Sequence, residues 1–120
     1  MVRTRGLTHI HLIVTDLDRS LRFYTEVFGM EEQFRDGPTM VFLSTPGSHD
    51  LVALHEQQDA VAAGPAAIDH IGFRLVDKAD LDDAIVAVER AGGSFLERGV
   101  HPSGQPFAYV VDPDGHRIEL

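Results

Sequence analysis

Histidine and carboxylate side chains are the residues of this chain best suited to chemistry. Seven histidines occur in 120 residues and cysteine is absent, so any metal would be held by nitrogen and oxygen. His9 and His70 each open a segment rich in β-branched residues, and Glu119 lies on the apolar segment that ends the chain. A carboxylate on an apolar strand needs a partner that compensates for its desolvation, and a divalent cation is such a partner.

The closing segment predicts a hairpin that brings a tyrosine beside Glu119. Residues 112–115, Asp-Pro-Asp-Gly, have the composition of a type I turn. If its glycine is the left-handed residue of a three-residue loop, Asp112 pairs with His116. Counting outward along the strands then sets Tyr109 directly across from Glu119, so that the two side chains share one face.

A pattern of one strand, one helix and three strands occurs twice along the chain. The first copy spans approximately residues 6–56 and the second 68–120, and an alanine-rich linker lies between them at 57–67. Two copies of such a unit, each with one half-buried sheet face, can close against each other. The sequence therefore predicts an α+β fold in which two βαβββ modules form a single domain.

The predicted elements have recognisable ends. Asp16 or Asp18 caps the first helix and Gly29 closes it, whereas the second helix is capped by Asp80 and stops before Gly92. The predicted strands lie near 7–14, 30–35, 39–44, 50–56, 69–76, 94–97, 106–111 and 116–120. The aromatic residues expected in the core are Phe23, Tyr24, Phe28, Phe42 and Phe73. The histidines expected in solvated turns are His49 and His116.

The repeat places the candidate metal ligands in equivalent positions. His70 stands where His9 stands in the first module, and Glu119 corresponds to Ala53. Two imidazoles and one carboxylate suit a divalent first-row metal and leave positions open for water and substrate. Taken alone, each histidine is typical of a half-exposed strand residue with a hydrogen-bonded ring. Their equivalent places in the repeat favour the metal site.

Further residues on these strand faces are candidate substrate contacts. His11 and His55 lie on the faces of the candidate ligand positions and would line a pocket there. Arg74 shares the face of His70 and would hold a carboxylate substituent; a solvated charge at a strand end is the other interpretation. Gly72 lies between them and leaves room for a ring.

Composition limits the class of partner. The formal net charge is -9, from 19 acidic and 10 basic residues, which disfavours nucleic acid and anionic membranes and favours a small molecule. No segment approaches the length of a membrane span, and the basic N-terminus lacks the apolar run of a signal peptide. A cytoplasmic protein is therefore predicted.

The chain resembles the vicinal oxygen chelate superfamily, also called the glyoxalase/bleomycin resistance/dioxygenase superfamily. The motifs are the run from His9 to Tyr24, the segment Asp-His-Ile-Gly-Phe at 69–73 and the closing Asp-Pro-Asp-Gly-His-Arg-Ile-Glu-Leu. The resemblance implies a curved open sheet around a metal-binding pocket, with His9, His70 and Glu119 as ligands. It further implies a homodimer and a divalent metal, with Fe2+ favoured over Mn2+, Ni2+ or Zn2+.

Within the superfamily, the closing stretch is similar to that of extradiol dioxygenases. The similarity consists of His101, Tyr109, the Asp-Pro-Asp-Gly turn and Glu119 at the spacing of those enzymes. By this resemblance His101 and Tyr109 are catalytic residues that assist proton transfer beside the metal. Ala108 departs from the pattern, which usually has a larger apolar residue there. The favoured expectation is an extradiol-type dioxygenase acting on a catechol-like or enediol substrate.

Other branches of the superfamily remain open. Lactoylglutathione lyases use a fourth carboxylate where this chain has Ala53, and Glu56 is out of register by three residues and faces the opposite side. Fosfomycin-resistance thiol transferases share the closing motif, but their lysine-rich and tryptophan-containing loops are missing here. The alternatives are thus a glyoxalase-type lyase or isomerase, a thiol transferase, or a non-catalytic protein that sequesters an antibiotic or other small molecule.

Overall fold

The computed structural model of the protein describes residue 1, residue 3 and the ranges 5–60 and 68–120. Its strands are β1 Ile10–Val14, β2 Glu31–Arg35, β3 Met40–Ser44, β4 Val52–Glu56, β5 Ile71–Gly72, β6 Ser94–Val100, β7 Pro106–Val111 and β8 Arg117–Glu119. Its helices are α1 Leu17–Phe28 and α2 Leu81–Arg90, and a 3-10 turn, Lys78–Asp80, leads into α2. Most of the predicted linker, 61–67, lies outside the described residues. Neither helix in the described ranges has the length and apolar character needed to cross a membrane.

The strands form two four-stranded sheets with the same internal order. The N-terminal sheet runs β1-β4-β3-β2 and the C-terminal sheet runs β5-β8-β7-β6. In each sheet the first and last strands of the module are parallel, and the other neighbours are antiparallel. This repetition confirms the α+β prediction and the two βαβββ modules.

One face of each sheet packs against the helices in a shared apolar core. Leu12 and Val14 of β1, Ile118 of β8 and Phe23 of α1 are all buried in it. Burying a large apolar side chain stabilises the fold by about 1.5–3 kcal/mol. Because successive strand residues alternate between faces, the remaining side chains of each strand point to the opposite face of its sheet. We call these opposite faces the N-terminal open face, which carries the exposed His11, and the C-terminal open face, which carries Glu119.

Local side-chain chemistry sets the helix ends. The Asp16 carboxylate accepts the amide hydrogen bond of the residue three positions on, at 2.9 Å, and Gly29 closes α1 with φ 63, as predicted. The start of α2 differs from the prediction. Asp77 caps the 3-10 turn through the amide of Ala79, at 2.9 Å, whereas Asp80 makes no side-chain capping bond. Asp80 stands at the N-cap position of α2, as predicted, but its side chain makes no capping bond because the chain enters α2 through that turn.

The strand predicted over 69–76 is much shorter in the structure. Only Ile71–Gly72 pairs with β8, and the Phe73 amide adds one hydrogen bond to the Glu119 carbonyl oxygen at 2.9 Å. Strand β8 has three residues, so it offers no partner to the chain beyond Phe73. The residues that follow leave the sheet and form the wall of a cavity.

Two side chains lie in surroundings that the sequence does not predict. Phe42 is outside the core and stacks on Phe34 on the N-terminal open face, with ring centroids 4.4 Å apart. Its neighbour Val41 takes the buried face of β3 instead. His116 is half-buried, and its Nε2 lies 2.8 Å from the carbonyl oxygen of Ile13. His116 therefore joins the two modules instead of being solvated.

Asp114 ties the C-terminal hairpin to the start of α1. Its Oδ1 accepts hydrogen bonds from the amide and the hydroxyl of Thr15, at 3.1 and 2.6 Å, and from the Arg19 guanidinium at 3.1 Å. Its Oδ2 accepts one from the Ser20 hydroxyl at 3.2 Å. Burial raises the pKa of this carboxyl, but the hydrogen bonds from Thr15 and the charge of Arg19 outweigh burial and hold the pKa below its usual value.

Asp112 makes a second link from the same turn. Its Oδ2 accepts a hydrogen bond from the hydroxyl of the fully buried Tyr24 at 2.9 Å. Its Oδ1 accepts the amides of Asp114 and His116, at 3.0 and 2.9 Å. The Asp112 amide donates to the His116 carbonyl oxygen at 3.0 Å, and Gly115 has φ 91. The three-residue loop with a left-handed glycine is thus confirmed.

We expect Asp114→Asn to destabilise the fold at neutral pH and to have less effect in acid. The folded-state pKa of Asp114 lies below its unfolded value of about 3.9, so ionisation stabilises the fold above that pH. This contribution is lost as the pH falls through the folded-state pKa. Urea unfolding followed by circular dichroism should give a difference between wild type and variant that is constant near pH 7 and shrinks below about pH 4.

The matched control is Asp59→Asn, which removes an exposed carboxylate in a turn and should change the unfolding free energy little at any pH. If the difference in unfolding free energy between wild type and Asp114→Asn stays constant or grows in acid, the lowered folded-state pKa of Asp114 is contradicted.

Candidate functional site

Glu119 is the centre of a cluster on the C-terminal open face. The pairing of β7 with β8 sets Tyr109 directly opposite Glu119, which confirms the predicted hairpin register. Nε2 of His101 lies 2.7 Å from Glu119 Oε1, and Nε2 of His70 lies 2.9 Å from Oε2. The Tyr109 hydroxyl donates to Oε2 at 3.2 Å. The structure thus brings together four of the predicted site residues.

His101 is held by a tight turn beyond β6. Its amide donates to the Gln105 carbonyl oxygen and its own carbonyl oxygen accepts the Gly104 amide, both at 2.8 Å. Its ring stacks on Phe107 with centroids 4.3 Å apart, and Phe107 in turn meets the edge of Tyr109 at 5.3 Å. The imidazole is therefore fixed by both its backbone and its ring, with Nε2 directed at the carboxylate.

His70 has a carboxylate on each side of its ring. Nδ1 lies 2.7 Å from Asp69 Oδ2, and Nε2 lies 2.9 Å from Glu119 Oε2. The hydrogen bond with His70 lowers the pKa of Asp69, so Asp69 is held as the ionised acceptor. An acceptor at Nδ1 fixes the orientation of the ring and leaves Nε2 for another partner, the arrangement that metal-binding histidines usually have.

The donors around Glu119 favour its ionised form. The hydrogen bond from His101 lowers the pKa of Glu119 most, and burial, which raises it, is outweighed by this bond together with the Tyr109 hydroxyl and the nearby imidazoles. The pKa of Tyr109 is raised, first by burial and then by the adjacent Glu119 charge. Tyr109 therefore keeps its proton and acts as a hydrogen-bond donor near neutral pH.

The spacing of these donors fits a first-row divalent cation. Two ligands at a right angle, with bonds of about 2.1 Å, lie about 3.0 Å apart; His70 Nε2 and Glu119 Oε2 are 2.9 Å apart. A set of imidazole nitrogen and carboxylate oxygen also suits such a metal. Within the described ranges, however, no group of three or more His, Asp or Glu side chains is arranged to hold a metal ion. His70 and Glu119 are therefore a neighbouring pair, without a third such residue placed among the described ones to complete a ligand set.

His9 directly precedes β1, the first strand of the other sheet. It is exposed, its Nδ1 is 3.0 Å from the Thr8 hydroxyl, and its ring meets the edge of Phe42 at 5.7 Å. In the part of the chain that the structure describes, no contact joins His9 to His70 or Glu119. The inner faces of both sheets belong to one core, so the side chains of the two open faces point away from that core.

The N-terminal open face carries a second histidine pair. Nε2 of His11 lies 3.1 Å from Nδ1 of His55, and the ring centroids are 5.2 Å apart. Ala53, opposite His11 in the β1–β4 pairing, is fully buried. Glu56 turns inward, as predicted from its odd spacing, and accepts the Leu17 amide at 2.7 Å. It therefore acts as a cap for α1.

Arg117 and Arg74 lie on opposite sides of the Glu119 cluster. The Arg117 guanidinium carbon sits 4.0 Å above the Tyr109 ring centroid, and its Nη2 donates to Glu97 at 2.9 Å. Arg74 lies in the wall of a cavity that also contains Glu119 and His101. The predicted substrate contacts are thus on two different faces, with Arg74 beside Glu119 and the His11–His55 pair on the other sheet.

Sequence reasoning misses three residues that shape this cluster: Asp69, Phe107 and Arg117. The sequence does carry a signal for two of them. Asp69 directly precedes His70, and Arg117 precedes Glu119 by two residues, which puts it on the same strand face. The contact of Phe107 with His101 depends on the turn beyond β6, and no local pattern indicates it.

Comparison with known proteins identifies the family. Residues 6–120 match the model of the Glyoxalase/Bleomycin resistance protein/Dioxygenase superfamily. The chain belongs to this superfamily. Among curated relatives, a putative lactoylglutathione lyase of Brassica oleracea var. gemmifera is 31% identical over 97% of this chain, and the 2,2',3-trihydroxybiphenyl dioxygenase of Sphingomonas paucimobilis is 29% identical over 96%. The chain spans 44% and 40% of the lengths of these two proteins.

A solved member of the superfamily has the same fold. The fosfomycin resistance protein FosX of Listeria monocytogenes, as an E126Q mutant complexed with Mn(II) and 1S,2S-dihydroxypropylphosphonic acid, superposes with a TM-score of 0.80. The match covers 98% of this chain and 90% of that chain at 24% identity. At this identity the likeness shows the fold alone.

We expect Arg117 and Tyr109 to be energetically coupled in the metal-free protein. A guanidinium over an aromatic ring contributes about 0.5–1 kcal/mol at a half-exposed position. A double-mutant cycle of Arg117→Met and Tyr109→Leu, measured by urea unfolding, should therefore give a coupling energy in this range. A coupling energy of zero would contradict the stacking. A comparison cycle, Arg98→Met with Asp82→Asn, probes an exposed ion pair, for which about 0.2–1 kcal/mol is typical.

Proposed function

We propose that this protein is a metal-dependent enzyme that binds its substrate through two adjacent oxygens and cleaves a catechol-like ring, as extradiol-type dioxygenases do. The observation that supports this most is the convergence of His70, His101 and Tyr109 on the Glu119 carboxylate. The superfamily relatives that are enzymes, including a dioxygenase and a lyase, support an enzymatic role. The proposal makes the substrate a small molecule.

The proposed metal ligands are His9, His70 and Glu119, and they are drawn from two copies of the chain. His70 and Glu119 have the spacing of neighbouring ligands, whereas His9 lies on the other open face. A homodimer in which the N-terminal open face of one copy covers the C-terminal open face of the other would complete the set. Its twofold symmetry would form two equivalent sites, each with ligands from both copies. Nitrogen and oxygen ligands suit Fe2+, which we favour, and also Mn2+, Ni2+ and Zn2+.

The residues around Glu119 supply the proton chemistry. A divalent cation held there would favour loss of a proton from a substrate hydroxyl. The His101 imidazole would accept this proton on Nδ1, because Nε2 carries the hydrogen that it donates to Glu119, and would return it later. Tyr109, which keeps its proton, would turn its hydroxyl hydrogen from Glu119 Oε2 to a substrate oxygen once a cation neutralises the carboxylate. Arg117 holds the Tyr109 ring in position for that donation.

The second copy would supply the other wall of the substrate pocket. His11 and His55 lie on the N-terminal open face together with the stacked rings of Phe34 and Phe42. In the proposed homodimer these residues would face the Glu119 cluster of the partner copy. The histidine pair would offer hydrogen bonds to the substrate, and the phenylalanines would offer an apolar surface to its ring.

A glyoxalase-type lyase or isomerase is the second candidate, and the similarity to a lactoylglutathione lyase favours it. Against it, the fourth carboxylate has no counterpart, because Ala53 stands at its position and Glu56 is bound to the Leu17 amide. A thiol transferase and a non-catalytic binding protein are the remaining alternatives. Neither of these two consumes dioxygen, whereas the dioxygenase does.

The test loads tag-free protein with Fe2+ anaerobically and then adds air and a panel of catechols. The proposal predicts oxygen uptake and yellow ring-fission products. Glu119→Gln should lower the rate by more than about 100-fold, beyond what the loss of an outer hydrogen-bond partner costs. Glu89→Gln on the exposed face of α2 is the control and should keep the rate. Isomerisation of a thiohemiacetal without oxygen uptake would establish the lyase instead, and metal-independent binding without turnover would establish the binding protein.

A further inference from the structure

A cavity of about 890 Å³ opens beside the Glu119 cluster. One wall is the segment that leaves β5, including Arg74 and Lys78, and the opposite wall includes His101 and Phe107. The cavity therefore extends from the proposed reaction centre to a region that the proposed chemistry does not use. A substrate that reaches the centre would place any further substituent there.

The two basic residues in this wall lack the partners that most arginines of the chain have. The arginines that form an ion pair are Arg19, Arg22, Arg35, Arg98 and Arg117. Arg74 and Lys78 have no ion pair or side-chain hydrogen bond among the described residues. Both side chains are exposed at the cavity wall, so their charges are open to a ligand that enters it.

The carboxylates that line the same cavity are already bound to other donors. Asp77 accepts the Ala79 amide at 2.9 Å, which fixes it as the cap of the 3-10 turn. Glu119 accepts hydrogen bonds from His101 and Tyr109. Among the described residues no ion pair joins either carboxylate to Arg74 or Lys78, and the two cations are available to a ligand.

We propose that this cavity holds the tail of the substrate and that Arg74 and Lys78 bind an oxyanion, a carboxylate or a phosphate, at its end. The apolar part of the wall, Phe73, Leu75 and Phe107, would contact the ring or chain that carries the oxyanion. This inference rests on the proposed function for its account of the substrate. It narrows the substrate class to a chelating molecule with an anionic substituent.

Gly72 gives access from the reaction centre to these cations. It pairs with Glu119 in the β5–β8 ladder and shares its face. A Cβ atom built there would have only the Glu119 carbonyl oxygen near it, at 3.9 Å. A larger side chain at this position would therefore enter the cavity without displacing the backbone.

The test uses benzoate and its neutral counterpart benzyl alcohol, titrated into protein freed of metal on a chelating resin and followed by amide NMR shifts. Benzoate carries an oxyanion but no vicinal hydroxyls, so its binding does not depend on the proposed metal or reaction. Benzoate should shift the amides of Gly72, Lys78 and Gln105, and benzyl alcohol should bind at least about tenfold more weakly, as expected for loss of a charge-assisted hydrogen bond. Phenylphosphonate in place of benzoate distinguishes the two oxyanions, because the tighter probe identifies the substituent.

The variants Arg74→Gln and Lys78→Gln should each weaken benzoate binding about 10- to 100-fold. Arg90→Gln, which removes one charge at the end of α2, should leave it unchanged, and Gly72→Val should weaken benzoate and benzyl alcohol alike. Benzoate that binds no tighter than benzyl alcohol, or equally well to the Arg74 and Lys78 variants, would overturn the inference. Because no metal is present, a negative catechol assay would leave the benzoate result unchanged. A failure of benzoate to bind would likewise leave the proposed dioxygenase activity untouched.

Discussion

The pair of carboxylates in the turn between β7 and β8 is the constraint on which the rest of the structure depends. Asp114 binds the start of α1 and Asp112 binds Tyr24, so this one turn joins the two modules. The same loop fixes the register that sets Tyr109 opposite Glu119. Since buried carboxylates are costly to leave without donors, the turn cannot shift by one residue without losing both the module contact and the cluster.

The packing of the helices determines where the chemistry can occur. Both sheets give their apolar faces to one core, so the side chains of each open face point away from that core. The C-terminal open face carries a carboxylate with its donors, and the N-terminal open face carries His9, the His11–His55 pair and two stacked phenylalanines. Neither face alone holds a full ligand set among the described residues. This division explains why a second copy is part of the proposed function.

The fold could be predicted from the sequence wherever local chemistry decides the structure. The bounds of α1 follow from Asp16 and Gly29, and the Tyr109–Glu119 register follows from the turn residues alone. Prediction fails where a distant contact decides. The length of β5 depends on how many residues β8 offers, and the surroundings of His116 depend on a carbonyl group of β1. In the candidate site, residue types point to the cluster, but its supporting contacts come from turns and neighbouring strands.

The central claim is that His70 and Glu119 of one copy and His9 of another hold a single cation. A crystal structure of tag-free protein grown with Mn2+, with anomalous data that locate the metal, tests it most directly. The account predicts one Mn2+ within about 2.3 Å of His70 Nε2, a Glu119 oxygen and a ring nitrogen of His9 from a second copy. A structure in which no metal lies between His70 and Glu119, or in which His9 is remote from it in every assembly, would contradict the account.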